Sequence, residues 1–128
     1  MKKNKKTFGQ VVEKNIKDSL ALAGIPVETS ADLDHNHKID FIVQIGVQFV
    51  GIQISLKKDH IKAKSAKICA LDRVARFIYL NLSDVFFHRS NKDYGMQLYY
   101  LLNYILNKYN KKAIWITIDM KGWHIKEI

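Results

Sequence analysis

A chain of 128 residues with 48% apolar content has the size of one domain around one core, and no second domain is expected. Twenty-one Lys and Arg against twelve Asp and Glu leave a net charge of +9, which draws polyanions to so small a body and makes nucleic acid the leading expected partner. No run approaches the roughly 18 consecutive apolar residues of a membrane span, and the basic opening Met1 to Lys6 is followed by amphipathic sequence rather than the apolar stretch of a secretion signal.

In chain order, Phe8, Val12, Ile16, Ser19, Leu20 and Ala23 fall on one helical stripe with Lys14 and Lys17 opposite, and Gly24-Ile25-Pro26 stops the helix. Glu13 falls on the border of that stripe. Val27 to Ser30 reads as a short strand and Ala31 to Lys38 as a polar, charged turn. Ile39 to Ile45 and Val47 to Leu56 are two β-rich runs about Gly46, which predicts a hairpin. On the second run Ile52, Ile54 and Leu56 share one face, while Gln53, Ser55 and Lys57 share the other.

Residues from about Asp59 to Val74 lack strand alternation and carry Ile61, Ser65, Ile68, Cys69 and Val74 at helical intervals, which predicts a second helix. Arg76 to Leu82 is β-branched and aromatic and reads as a strand. Tyr94, Leu98, Leu101, Leu102, Ile105 and Tyr109 form another helical stripe, and Ala113 to Ile118 with Trp123-His124-Ile125 supply closing strands. Grouping the closing strands, the order is αβββαβαβ, an α/β domain with a mixed central sheet flanked by helices.

Several local patterns are set aside on chemistry. Asp32 to Asp40 places oxygen donors at alternate positions as a calcium loop does, but its sixth position is His37 rather than Gly and its twelfth is Val43 rather than Glu. His35 and His37 alternate in a polar turn and read as a solvated loop rather than a zinc site. Cys69, the single cysteine, cannot close an internal disulfide and reads as core rather than nucleophile, and a reducing cytoplasm is the expected setting. Tyr100 and Tyr104 lie off the core stripe of their helix and offer a partner surface, such as a homodimer interface.

One constellation points to chemistry. Asp40 heads one strand, Gln53-Ile54-Ser55 ends the next, and Glu13 precedes them on the first helix. Over about residues 8 to 82 this resembles the PD-(D/E)xK nuclease superfamily, in particular archaeal Holliday-junction resolvases and small restriction-endonuclease-like proteins. Their pattern is a helical Glu, a strand Asp and then Glu-x-Lys. The resemblance implies a restriction-endonuclease-like fold and a metal-dependent DNA endonuclease or resolvase. In that family the Asp and the Glu or Gln bind one or two Mg2+ or Mn2+ ions, and the Lys steadies the attacking water. Carried over, Asp40 and Gln53 become the metal ligands and Glu13 an assisting group. Ser55 stands where the family has Lys. Lys57, on the same strand face, takes over that role, or Lys58 or Lys62 reaches in from the next helix. Gln for Glu keeps an oxygen ligand but removes a negative charge, so metal affinity falls.

Lys57, Lys58, His60, Lys62, Lys64 and Lys67 run on from this point, and Lys58, Lys62, Lys64 and Lys67 are the expected phosphate contacts. Two alternatives stand beside the nuclease reading. One is a module that kept the fold and the nucleic-acid binding but lost the chemistry with Ser55. The other is a protein-interaction subunit that uses its basic surface and Tyr100 and Tyr104.

Overall fold

A computed structural model describes residues 8–29, 39–55, 74–82, 89–119 and 122–127. Helix α1 (Phe8–Leu22) is followed by strands β1 (Val27–Glu28), β2 (Phe41–Ile45), β3 (Gln48–Ser55) and β4 (Arg76–Leu82), helix α2 (Lys92–Lys108), and strands β5 (Ala113–Asp119) and β6 (Gly122–Glu127). The expected second helix, apart from buried Val74 at the entry to β4, lies outside the described residues, as do the turn over 31–38 and Lys57, Lys58, Lys62, Lys64 and Lys67.

The six strands form one mixed sheet in sequential order, β1-β2-β3-β4-β5-β6. β3, β4 and β5 run parallel to one another at its centre, and β1, β2 and β6 join antiparallel at its margins. The β2–β3 hairpin turns at Gly46, whose φ of 63° lies in the left-handed region that glycine enters without strain. Ile45 pairs with Gln48 across this turn, and the register that follows sets Phe41 opposite Ile52.

Alternation along the strands sorts the core into two faces. Phe41, Val43 and Ile45 of β2, Val50 and Ile52 of β3, Ile78, Leu80 and Leu82 of β4, and Ile114 and Ile116 of β5 meet Val12, Ile16 and Leu20 of α1 and Leu98, Leu102, Ile105 and Leu106 of α2. Both described helices therefore cover the same face. They touch most closely where Gly95 lies against the Ser19 backbone, so that a Cβ on Gly95 would sit 2.0 Å from the Ser19 carbonyl oxygen. Ser19 Oγ accepts the amide of Asn91 at 2.9 Å, and Asn91 caps α2 by accepting the amides of Asp93 and Tyr94. On the other face Ile39, Ile42, Val74, Phe77, Tyr79 and Ala113 are buried, with Trp115 packed against them.

Three differences from expectation have local causes. The second strand begins at Phe41 rather than Ile39: the chain bends at Asp40, whose amide still donates to the Ile52 carbonyl and whose side chain, rather than its backbone, accepts the amide of Ile54. Tyr109 is not helical but closes α2 in extended conformation. The loop after it is held by Arg76, whose guanidinium donates to the carbonyls of Leu106 (3.1 Å), Tyr109 and Lys111 (2.8 Å). The closing segment is a true hairpin, β5 and β6, with Gly122 at φ 121°.

Candidate functional site

Asp40 is partly exposed and stands where β2 parts from β3. Its amide donates to the carbonyl of Ile52 at 2.8 Å, and its Oδ2 accepts the amide of Ile54 at 2.6 Å. The carboxylate thus takes the place of a missing ladder partner at the point where β3 would otherwise leave an amide unpaired. Gln53 lies between Ile52 and Ile54 and projects from the face not covered by α1 and α2. Its Oε1 is buried and has no hydrogen-bond partner among the described residues. A buried amide oxygen left so costs about 1–3 kcal/mol, which most proteins avoid except where the group has work to do.

The parallel registers extend this corner into two lateral rows on the same face. Gln53 stands beside Tyr79, and Tyr79 beside Trp115. Tyr79 and Trp115 are tilted at 54° with centroids 6.0 Å apart, so the row has an aromatic centre. Two residues further on, Ser55 stands beside Asn81, Asn81 beside Thr117, and Thr117 beside His124. Asn81 is 6% exposed and donates from Nδ2 to the Ser55 carbonyl at 3.3 Å, which ties the carboxyl ends of β3 and β4 together. Carboxyl ends of parallel strands are where open α/β sheets collect their ligands.

No protein-family model, curated protein or solved structure matches this chain. The site therefore rests on its own geometry. Of the residues the sequence singled out, Asp40 precedes β2 and is bound to the backbone of Ile52 and Ile54, which flank Gln53 on β3. Ser55 follows on the same face but is buried, at 7% exposure. Glu13 is held elsewhere. Its carboxylate pairs with Lys17 at 3.3 Å on α1, and α1 covers the face of the sheet opposite to Gln53. It borders a shallow depression of about 410 Å³ lined by Gln10, Glu13, Lys14, Lys17 and Asp18, in which Lys14 and Asp18 form a second pair at 2.5 Å. Two cations and two carboxylates on one helix answer each other there, and neither is aimed at Asp40. The lysines expected to serve this centre, Lys57, Lys58, Lys62, Lys64 and Lys67, lie outside the described residues.

Asn81, Thr117 and His124 were not anticipated. Asn81 is the one that carries a signal, a lone amide within the apolar run Phe77 to Leu82. Thr117 and His124 join the site only through pairings between distant strands.

Among the described residues no three His, Cys, Asp or Glu side chains gather as a metal cluster. The donor set at the corner is the Asp40 carboxylate and the buried Gln53 oxygen. Both are hard oxygens of the kind Mg2+ and Mn2+ take, and together they carry a single negative charge. No helix among the described residues is long and apolar enough to cross a membrane.

Proposed function

We propose that the chain is a nucleic-acid-binding domain of the PD-(D/E)xK, restriction-endonuclease-like kind, in which Asp40 and Gln53 hold a divalent cation against a phosphodiester, with DNA the expected substrate. The observation that carries this reading is the buried Gln53 Oε1, without a partner among the described residues, on the strand whose Ile54 amide the Asp40 carboxylate binds, near the carboxyl ends of parallel strands. The mixed sheet with α1 ahead of three strands, and the net charge of +9, support it. A bound Mg2+ or Mn2+ supplies neutralisation of phosphoryl charge and a water of lowered pKa. Asp40 and Gln53 orient the ion, Asn81 fixes the ends of β3 and β4 on which the corner depends, and Lys57 stands in for the family lysine. Glu13 has no part in this version of the site.

The deciding experiment is cleavage of branched, single-stranded and duplex DNA by wild-type and Asp40→Ala protein in Mg2+, Mn2+ or EDTA. The expected result is metal-dependent cutting that Asp40→Ala abolishes. Cutting that survives Asp40→Ala would overturn the assignment. One observation favours a second reading, a fold that binds nucleic acid without cleaving it. Ser55, at the position where the family carries its lysine, is buried and its carbonyl is bound by Asn81. Binding without cutting in any of the metals, weakening steeply as salt rises, is the outcome that reading expects.

A further inference from the structure

Helix α2 buries Leu98, Leu102, Ile105 and Leu106, which leaves its opposite side to solvent. That side is not the charged surface usual for such a helix. Tyr100, Asn103, Tyr104, Asn107 and Lys108 stand at positions i, i+3, i+4, i+7 and i+8 and so share one face. Tyr100 is 61% exposed and Tyr104 50%, and from the neighbouring hairpin Trp123 adds a third ring at 38%. These rings are set against one another. Tyr104 meets Trp123 edge to face with centroids 6.0 Å apart, and Tyr100 meets Tyr99 in the same way at 5.9 Å. Lys108 lies 5.6 Å from the Tyr104 centroid and donates to its hydroxyl at 3.3 Å, a contact that raises the lysine's pKa and keeps the ammonium charged. Lys111 and Lys112 are exposed in the turn that Arg76 fastens to the end of α2.

We propose that this face of α2, with Trp123, is a platform for single-stranded nucleic acid, on which Tyr100, Tyr104 and Trp123 stack bases while Lys108 and Lys111 meet the backbone. Charge selects the occupant. Between Asp93 and Asp119 the chain has no acidic residue, so the end of α2 and the turn after it carry Lys108, Lys111 and Lys112 with no carboxylate in the same stretch of sequence. A second copy of the chain docked here about a two-fold axis would bring the same lysines face to face, which disfavours self-association. A polyphosphate backbone supplies the missing negative charge. Exposed ring faces select a single strand, because a duplex keeps its base faces stacked inside while a single strand offers them. The platform runs about 12 Å from Tyr100 to Lys108. It lies on the side of the sheet opposite to Gln53, so it is a separate surface and does not depend on the metal site.

The test is fluorescence anisotropy of a labelled 12-nucleotide oligothymidylate in EDTA, across a salt series, for wild type, Tyr104→Ala/Trp123→Ala and Lys108→Gln/Lys111→Gln. Losing two stacking rings is expected to weaken binding at least about tenfold. Losing two phosphate contacts is expected to lower the log–log salt slope by about 1.4. All substituted positions on the platform are exposed, and thermal melts verify folding; should the aromatic variant fail to fold, the lysine variant's salt slope decides. Wild-type affinity in the aromatic variant would overturn the platform. Two further results would overturn it in favour of protein partners: a dimer in sedimentation that Tyr104→Ala/Trp123→Ala dissolves without change in oligonucleotide affinity, or polyglutamate competing as well as the oligonucleotide at equal charge.

Discussion

Replacing Gln53 by Met separates what this residue does for the fold from what it does for the site. Met has nearly the length and volume of Gln, keeps a flexible unbranched chain, and removes the amide. In wild type the buried Oε1 has lost its solvation without gaining a partner among the described residues, a penalty of about 1–3 kcal/mol. Gln53 as a whole is only partly buried, so the low end applies, and Gln53→Met is expected to be more stable by about 1 kcal/mol. For a domain of this size that is a rise in Tm of roughly 4 °C. The measurement is urea and thermal unfolding followed by circular dichroism in EDTA, then repeated in millimolar Mg2+ or Mn2+. Wild type is expected to gain stability with metal, since a ligand that binds only the folded state raises the unfolding free energy as its concentration exceeds Kd. Gln53→Met is expected to be indifferent to metal. A residue that costs stability where it stands and gives it back with a cation is what a metal-binding role predicts. If Gln53→Met is instead less stable than wild type in EDTA, the amide oxygen is satisfied in the native state and the main support for the site is lost.

Asp40 has two duties that substitution can divide: Asp40→Asn keeps an oxygen for the Ile54 amide and should melt close to wild type, Asp40→Ala should lose about 1–3 kcal/mol, and both should abolish the response to metal in the same melts. Gly95→Ala gains about 1 kcal/mol of helix propensity but sets a Cβ 2.0 Å from the Ser19 carbonyl oxygen, and α1 and α2 must part to admit it. A net loss of at least about 2 kcal/mol in urea unfolding is expected, and a variant as stable as wild type would show that the helices can separate at no cost. Arg76→Met removes the donors to Leu106, Tyr109 and Lys111 and should cost about 2 kcal/mol, with hydrogen exchange rising first in the turn after α2.

How much of this was legible depends on the range over which each feature is fixed. That Asp40 and Gln53 belong to neighbouring strand ends could be read because it is local: a two-residue turn at Gly46-Val47 sets Ile45 against Gln48, and counting outward along the hairpin reaches Phe41 against Ile52, the neighbours of Asp40 and Gln53. Helix α2 and strand β4 could be read because their apolar periods are long and unbroken. The bend at Asp40 could not, since it goes with a side chain that takes over a backbone partner, and no periodicity records that. Nor could the place of Glu13. The stripe Val12, Ile16 and Leu20 shows that α1 is packed, but a helix stripe does not say which face of the sheet receives it.

The row Ser55, Asn81, Thr117 and His124 shows the limit most clearly. Its members are joined by two parallel pairings and one hairpin, and the parallel strands are separated by long connections whose length does not set register. A slip of one residue in β4 would turn Asn81 toward α1 and α2 and bring Leu80 or Leu82 to the polar face. What holds the register is the burial of the other residues: Ile78, Leu80 and Leu82 on the helix side, Phe77 and Tyr79 on the other. Phe77 in turn lies across Gly51, where a Cβ would come within 3.1 Å of its ring. Gly51 is thus a determinant of the site although it takes no part in it, because the close approach it permits keeps β4 in the register that places Asn81 beside Ser55.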